Sequence, residues 1–337
     1  MATATAAGLF ADLIGQAQAV ELLMASLQQA RVAPAYLLAG PHGVGRRLAA
    51  LRFLEGVIAG PAGDAGIRRR LAAGNHPDLL WVEPTYQHQG RLVPASLAQA
   101  EGVNRRTPPQ VRLEQIREVS RFLARRPVEA PGCLVVIEAA EAMAEAAANA
   151  LLKTLEEPGD GLLLLICSAP EQLLPTIRSR CQSVRFGRLE SAALAQVLAR
   201  AGAEASADLP ELLELAAGSP GALLEHRQQW QQLPESLTAV LRQLAAGRAA
   251  LAASSPLELL TLASTIAAEL DGEQQLWLLQ WWQLLLWRHC GNQAILDRLN
   301  RLRSHLLAYV QPRLAWEVAL LDLAQLALAD SERSRAS

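Results

Sequence analysis

The chain has few cysteines, no excess of positive charge and no apolar run long enough for a bilayer. Each shortage removes a class of function. Four cysteines in 337 residues, Cys133, Cys167, Cys181 and Cys290, stand far apart with no C-x-x-C pair. That spacing fits neither a disulfide framework nor a zinc site and points to a reducing compartment. Lys and Arg number 31 against 33 Asp and Glu, a formal charge of -2. A protein whose main work is gripping nucleic-acid phosphates carries a strong basic excess, so any DNA contact is local. The opening MATATAAGLFADLIG lacks the basic start and long apolar stretch of a signal peptide. The apolar run Leu276–Trp287 is twelve residues long and broken by two glutamines, against the ~20 that a spanning helix needs. The expectation is a cytoplasmic protein without a membrane partner.

What is present is apolar residue in quantity, 51% of the chain, enough for well-buried cores and more than one domain. Richness in Ala and Leu makes the chain mostly helical. Helical periodicity over residues 16–30 precedes a short apolar run, Ala35–Ala39, that ends at a glycine-rich turn. The alternation continues with strand candidates at Leu79–Val82, Cys133–Ile137, Leu162–Ile166 and Ser183–Phe186, and helices at Val111–Leu123 and Ala146–Leu155. Continuous apolar strands alternating with helices predict a doubly wound parallel sheet covered on both faces. Residues 86–110, rich in Gly, Pro and Gln, read as a long exposed loop. No further strand signal follows Gly187. The fold class is therefore α/β followed by all-α: a sheet domain at 1–187, a small helical lid at 188–231, a helical domain at 232–330 and a disordered tail at 331–337.

The turn after the first strand reads Gly40-Pro41-His42-Gly43-Val44-Gly45-Arg46-Arg47. Its glycines satisfy the backbone half of a phosphate-binding loop, in which N–H groups converge on phosphate oxygens. The next two positions should be Lys, for the terminal phosphates, and Ser or Thr, for Mg²⁺. Arg46 is bulkier than a lysine ammonium and not equivalent to it. Arg47 puts a cation where a hydroxyl would hold a dication, a repulsion of up to ~8 kcal/mol at 4 Å with an effective dielectric near 20. Two readings stand open: a turn kept for packing, or weak metal-free nucleotide binding.

A phosphate-loop ATPase also needs an Asp at the end of its third strand for the Mg²⁺ shell, followed by a Glu that orients water. Here Glu138 occupies the first position and Ala139 the second. Hydrolysis at this chain's own site is not expected.

Ser179-Arg180-Cys181, at the end of LLPTIRSRC, taken alone is a solvated basic turn. Together with LIGQAQAVELL (13–23), GNHPDLLWVEP (74–84), ANALLKTLEEP (148–158) and GSPGALL (218–224), it makes the chain resemble the clamp-loader branch of the AAA+ ATPases of bacterial DNA polymerase III. The resemblance implies a P-loop domain, a lid and an oligomerising helical collar. It also implies that Arg180 acts as an arginine finger in a neighbour's ATP site, with Ser179 and Cys181 in support. Family members that hydrolyse ATP carry an arginine where this chain has Ala222. Altered Arg46, Arg47, Ala139 and Ala222 beside an intact Arg180 imply a non-hydrolysing, stationary subunit in a complex that belongs to a DNA polymerase holoenzyme. The rival is an ATP-hydrolysing motor subunit of the gamma/tau type, with Arg46 doing the lysine's work. A helicase-like or recombination ATPase would need the acidic pair that Glu138-Ala139 lacks.

The implied partners are the gamma/tau and delta types of clamp-loader subunit in a pentameric ring, with the sliding clamp and primed DNA reached through the complex. No cofactor is required and ATP binding is weak or absent. Many relatives carry four zinc-binding cysteines before the HPD strand, but residues 51–78 contain none, so neither zinc nor any other metal is expected. His76-Pro77-Asp78 reads as a strand-entry turn, and Lys153, Glu156 and Glu157 as what any exposed helix end carries. Trp277, Trp281, Trp282, Leu284, Leu285 and Trp287 read as core more than as partner surface. Arg313 and Glu317 are a surface i, i+4 pair.

Overall fold

A computed structural model describes residues 8–98, 100–103, 108–157, 159–203, 209–246, 248–308 and 310–336. The chain forms two compact units, residues 1–206 with 218–222 and residues 207–217 with 223–337. The division passes through the stretch that the sequence assigns to a lid. Helix Ser191–Arg200 falls in the first unit and helix Pro210–Ala216 in the second.

The first unit is built on strands β1 (Ala35–Ala39), β2 (Leu79–Val82), β5 (Leu134–Ile137), β6 (Leu162–Cys167) and β7 (Gln182–Arg185). They pair in parallel in the order β2-β5-β6-β1-β7. Every residue of β1, β5 and β6 is buried, which is why these strands are continuous rather than alternating apolar runs. Helix Leu113–Leu123 turns Ile116, Val119 and Phe122 inward at helical spacing. These residues join one core with Leu151 and Leu155 of helix Glu145–Glu156 and the central strands.

Residues 86–110 differ from the loop the sequence predicts. Strands β3 (Thr85–His88) and β4 (Arg91–Pro94) form an antiparallel hairpin. Gln89 and Gly90 both have positive φ, 48° and 78°, the primed turn that matches the twist of a two-residue hairpin. Tyr86, Val93, Ala98 and Val103 close a small core of their own. Residues 104–107 lie outside the described residues.

His76-Pro77-Asp78 works as a clamp at the entry of β2. The Asp78 carboxylate is 2% exposed and accepts backbone N–H bonds from Val128, Glu129 and Ala130 at 2.7, 2.7 and 2.8 Å. It thereby ties the loop before β5 to the strand that pairs with β5. Burial alone would raise the Asp78 pKa, but the three N–H donors and His76 outweigh it and hold the carboxyl below its ordinary value. In the cysteine-free stretch, buried Glu55 receives both arms of Arg68 at 2.8 and 3.1 Å and the N–H of Asp64 at 2.9 Å. These bonds hold helix Ala65–Ala72 against helix Arg46–Ala59.

The second unit is entirely helical among the described residues. Trp281, Trp282 and Trp316 are fully buried. Trp282 donates to the carbonyl of Leu241 at 3.2 Å and Trp316 to the Gln275 side chain at 3.1 Å. Trp287 is half exposed, so the apolar face of helix Gly272–Cys290 is not buried all round. Arg313 pairs with Glu317 at 2.7 Å. The final helix, Pro312–Ala336, runs through residues 331–336, where the sequence predicts a disordered tail. No helix among the described residues is long and apolar enough to cross a membrane.

Candidate functional site

The phosphate-type loop leaves the C-terminal end of β1 and enters helix Arg46–Ala59 through Gly45. Gly43 has φ +76°, and a Cβ there would meet Ser219 Oγ at 2.5 Å, Ala222 N at 2.6 Å and Gly221 Cα at 2.9 Å. The GSPG turn is what crowds it: Ser219 donates to the His42 carbonyl at 2.6 Å and Gly221 N–H to the Gly43 carbonyl at 3.0 Å. Ala222, at the place of the arginine that the resemblance implies in hydrolysing members, sits beside Gly43 and donates its N–H to Ser219 Oγ at 3.3 Å. Packing therefore accounts for the glycine.

Arg46 and Arg47 take different directions. Arg46 is 6% exposed and its Nη1 has no hydrogen-bond partner among the described residues. Burial pushes its pKa down, while Glu141, Cys167 and Glu138 pull the other way. Arg47 stays outside. Its Nη1 donates to Glu138 Oε2 at 2.8 Å, and its guanidinium lies 4.5 Å from the centroid of the Trp81 ring. Trp81 Nε1 donates to the same Glu138 oxygen at 2.9 Å. The carboxylate at the metal position is thus bonded to the cation at the metal-ligand position. These residues do not fit a magnesium nucleotide: Mg²⁺ would have to displace Arg47 from Glu138 and would still lack a hydroxyl ligand.

Ala139, at the water-orienting position, has φ +47° and offers no polar side chain. The carboxylate nearby belongs to Glu141, in the 3-10 turn Ala140–Ala142. Ser168, the residue after β6, donates to Glu141 Oε1 through its hydroxyl and, at 3.1 Å, through its N–H. Burial raises the Glu141 pKa, but these bonds hold it below the ordinary value. Beside it, burial and then Glu141 push the Cys167 thiol up to about 12. Glu141, Ser168 and Trp81 were missed in the sequence. The usable signal was position: Ser168 stands at the same C-terminal sheet edge as Glu138, one residue past its strand.

Arg180 lies at the other end of the sheet. Gln182, two residues on, is level with Tyr36 near the start of β1, whereas the loop begins beyond Ala39. At ~3.3 Å per strand residue, that offset separates turn and loop by more than ~10 Å along the strand direction. Arg180 Nη2 donates to Glu156 Oε1 at 2.8 Å and Nη1 to the Thr176 carbonyl at 3.2 Å. Ser179 Oγ donates to the same carbonyl at 3.1 Å. Cys181 packs against the sheet core, and burial pushes its thiol up to about 11. Of the predicted site residues, the structure brings Gly43, Gly45, Arg46, Arg47 and Glu138 together around the loop, with Gly40 at its base. It keeps Ser179, Arg180 and Cys181 apart from them.

The family profile of "DNA polymerase III, delta subunit" matches residues 15–190, more than half of the chain. That of "Cyanobacterial DNA polymerase III delta prime, C-terminal domain" matches residues 192–323. The chain is 38% identical over 228 residues to the DNA polymerase III subunit delta' of Pseudomonas aeruginosa, 64% of this chain and 63% of that protein. It is 31% identical over 185 residues to the corresponding subunit of Bacillus subtilis, 53% of this chain and 50% of that one. The chain thus spans between half and two thirds of these relatives. A solved DNA polymerase III gamma subunit-related protein of Thermotoga maritima superposes with a TM-score of 0.48 at 16% identity, over 92% of this chain and 99% of that one. The N-terminal match alone exceeds half the length, so the chain belongs to the DNA polymerase III delta-subunit family that this profile describes, and its C-terminal profile and the two relatives above are those of the delta-prime subunit.

Proposed function

We propose that the protein is a non-hydrolysing clamp-loader subunit, a cytoplasmic protein that braces a ring of related subunits and supplies Arg180 to the ATP site of a neighbour. The observation that carries this reading is the position of Arg180 at the sheet end opposite the chain's own loop. A guanidinium there acts on a nucleotide only if another chain brings that nucleotide to it. Arginine suits the task because it stays charged and can place paired donors on a transferring phosphoryl group. Its neighbours would be the gamma/tau and delta types of subunit, with sliding clamp and primed DNA engaged through the assembly.

The inert home site is supported by the Arg47–Glu138 bond and by the missing side chains at Ala139 and Ala222. A motor role would require Arg47 to leave both Glu138 and Trp81. In this reading the chain needs no nucleotide, zinc or other cofactor.

The test is a reconstituted complex carrying Arg180→Ala. Assembly, read by size-exclusion chromatography, is retained. The adjoining site loses the ~10³–10⁵ that such a finger contributes, so the steady-state ATPase falls by at least that site's share. An unchanged ATPase rejects the finger.

A further inference from the structure

We infer that Glu156 is the positioning residue of Arg180, an inference that rests on the finger reading above. Glu156 ends helix Glu145–Glu156, and Arg180 follows the short helix Pro175–Arg178. Nothing in the fold requires the two side chains to meet, since both stand at the surface, 52% and 36% exposed. They nevertheless meet at 2.8 Å, while the other arm of the guanidinium is fixed on the Thr176 carbonyl at 3.2 Å.

A free arginine side chain samples many rotamers, and a group that must reach across a subunit boundary loses rate in proportion to the time it spends elsewhere. Two anchors remove most of that freedom. They also leave capacity, because a guanidinium has five N–H donors and these bonds use two. Glu156 therefore aims the fork without consuming it. The backbone behind both anchors is packed into the sheet core. Helix Glu145–Glu156 buries Leu151, Thr154 and Leu155, and Thr154 is bonded to Ser120 of the neighbouring helix at 2.8 Å. On the other side, Ile177 is fully buried and Cys181 packs on the same core. Glu156 acts through Arg180 and touches no reacting atom.

The experiment compares Glu156→Ala, Glu156→Gln, Arg180→Ala and the Ala/Ala double variant in complexes reconstituted with the ATPase subunits. It reads kcat and KM for ATP and, on the isolated chain, the urea midpoint. Glu156→Ala is expected to lower the finger-dependent part of kcat by roughly two- to fivefold, the rotamer bias that an exposed ion pair can supply. KM and the urea midpoint stay at wild-type values, because the nucleotide is bound elsewhere and the pair is exposed. Glu156→Gln keeps an acceptor oxygen and restores most of the rate. The double variant matches Arg180→Ala alone.

If Arg180→Ala slows the complex while Glu156→Ala leaves kcat at or above wild type, the positioning role is wrong and the finger stands. If Glu156→Ala slows the Arg180→Ala complex further, Glu156 acts independently of Arg180 and the inference is wrong. If Arg180→Ala itself changes nothing, the finger reading falls first.

Discussion

Replacing Asp78 by alanine removes two acceptor oxygens and takes the partner from three donors, of which Ala130 N–H is the most buried. Val128 and Glu129 are exposed, so water can replace the carboxylate at their N–H groups, and each then loses only the net worth of its bond. Ala130 is 8% exposed, and its donor stays dry. A buried unsatisfied donor costs ~1–3 kcal/mol and a bond to a charged group is worth ~1.5–3 kcal/mol, with incomplete additivity. The expected loss is about 3–4 kcal/mol. Because Asp78 joins the loop before β5 to β2, the loss falls on the sheet unit. Hydrogen exchange of peptides covering Leu79–Val82 and Leu134–Ile137 should then quicken by roughly a few hundredfold under conditions where exchange follows opening of that unit. Asp78→Asn keeps one acceptor oxygen and should give roughly half the loss in free energy.

The pH dependence follows from the same bonds. The folded-state pKa of Asp78 is depressed, so its contribution is complete above the unfolded value near ~3.9 and is lost as pH falls through the folded one. His76 is also depressed, by burial first and by Arg70 second. The unfolded chain takes up that proton first, so stability declines as pH drops below about 6.5 toward the lower folded value. Asp78→Asn should flatten the acid end of the profile and, because the Asp78 charge favours protonated His76, depress the folded histidine further and widen its part of the decline. Wild-type exchange rates in Asp78→Ala, or an unchanged acid profile in Asp78→Asn, refute the clamp.

Gly43→Ala combines strained backbone at φ +76° with a Cβ 2.5–2.6 Å from Ser219 and Ala222. It should destabilise the sheet unit by about 2–4 kcal/mol in urea unfolding, without any nucleotide present; a neutral effect would mean that packing does not explain this glycine. Arg47→Ala breaks a pair whose arginine side chain is 59% exposed. Its cost should stay within about 1–2 kcal/mol, the pair and the Trp81 contact together, and a larger loss by the same measurement would show the pair to be a core element. Cys133 and Cys167 are buried, and burial raises both thiols. Neither should react with a thiol reagent near pH 8 until denaturant is added, and mass mapping of rapid modification at either would contradict the core described.

The parallel sheet was legible because β1, β5 and β6 are buried on both faces and therefore read as unbroken apolar runs. The β3–β4 hairpin was not, because its turn, Gln89-Gly90, lacks the usual Asn or Asp and its strands are only four residues long. The loop residues were legible one by one from the types at fixed spacing after β1. What spacing cannot carry is partnership across the fold. Glu138 meets Arg47 and Trp81 from positions 91 and 57 residues away, and Glu156 meets Arg180 across 24. The aspartate of HPD looked like a turn residue because its partners are backbone N–H groups, which leave no mark in a sequence.

In the proposed reading the chain keeps an inert pocket and exports its arginine. Equilibrium binding of labelled ATP to the isolated chain, with and without Mg²⁺, followed by phosphate release, tests it most directly. No magnesium-dependent gain in affinity and no turnover are expected. Tight binding that requires Mg²⁺ and proceeds to hydrolysis would contradict it.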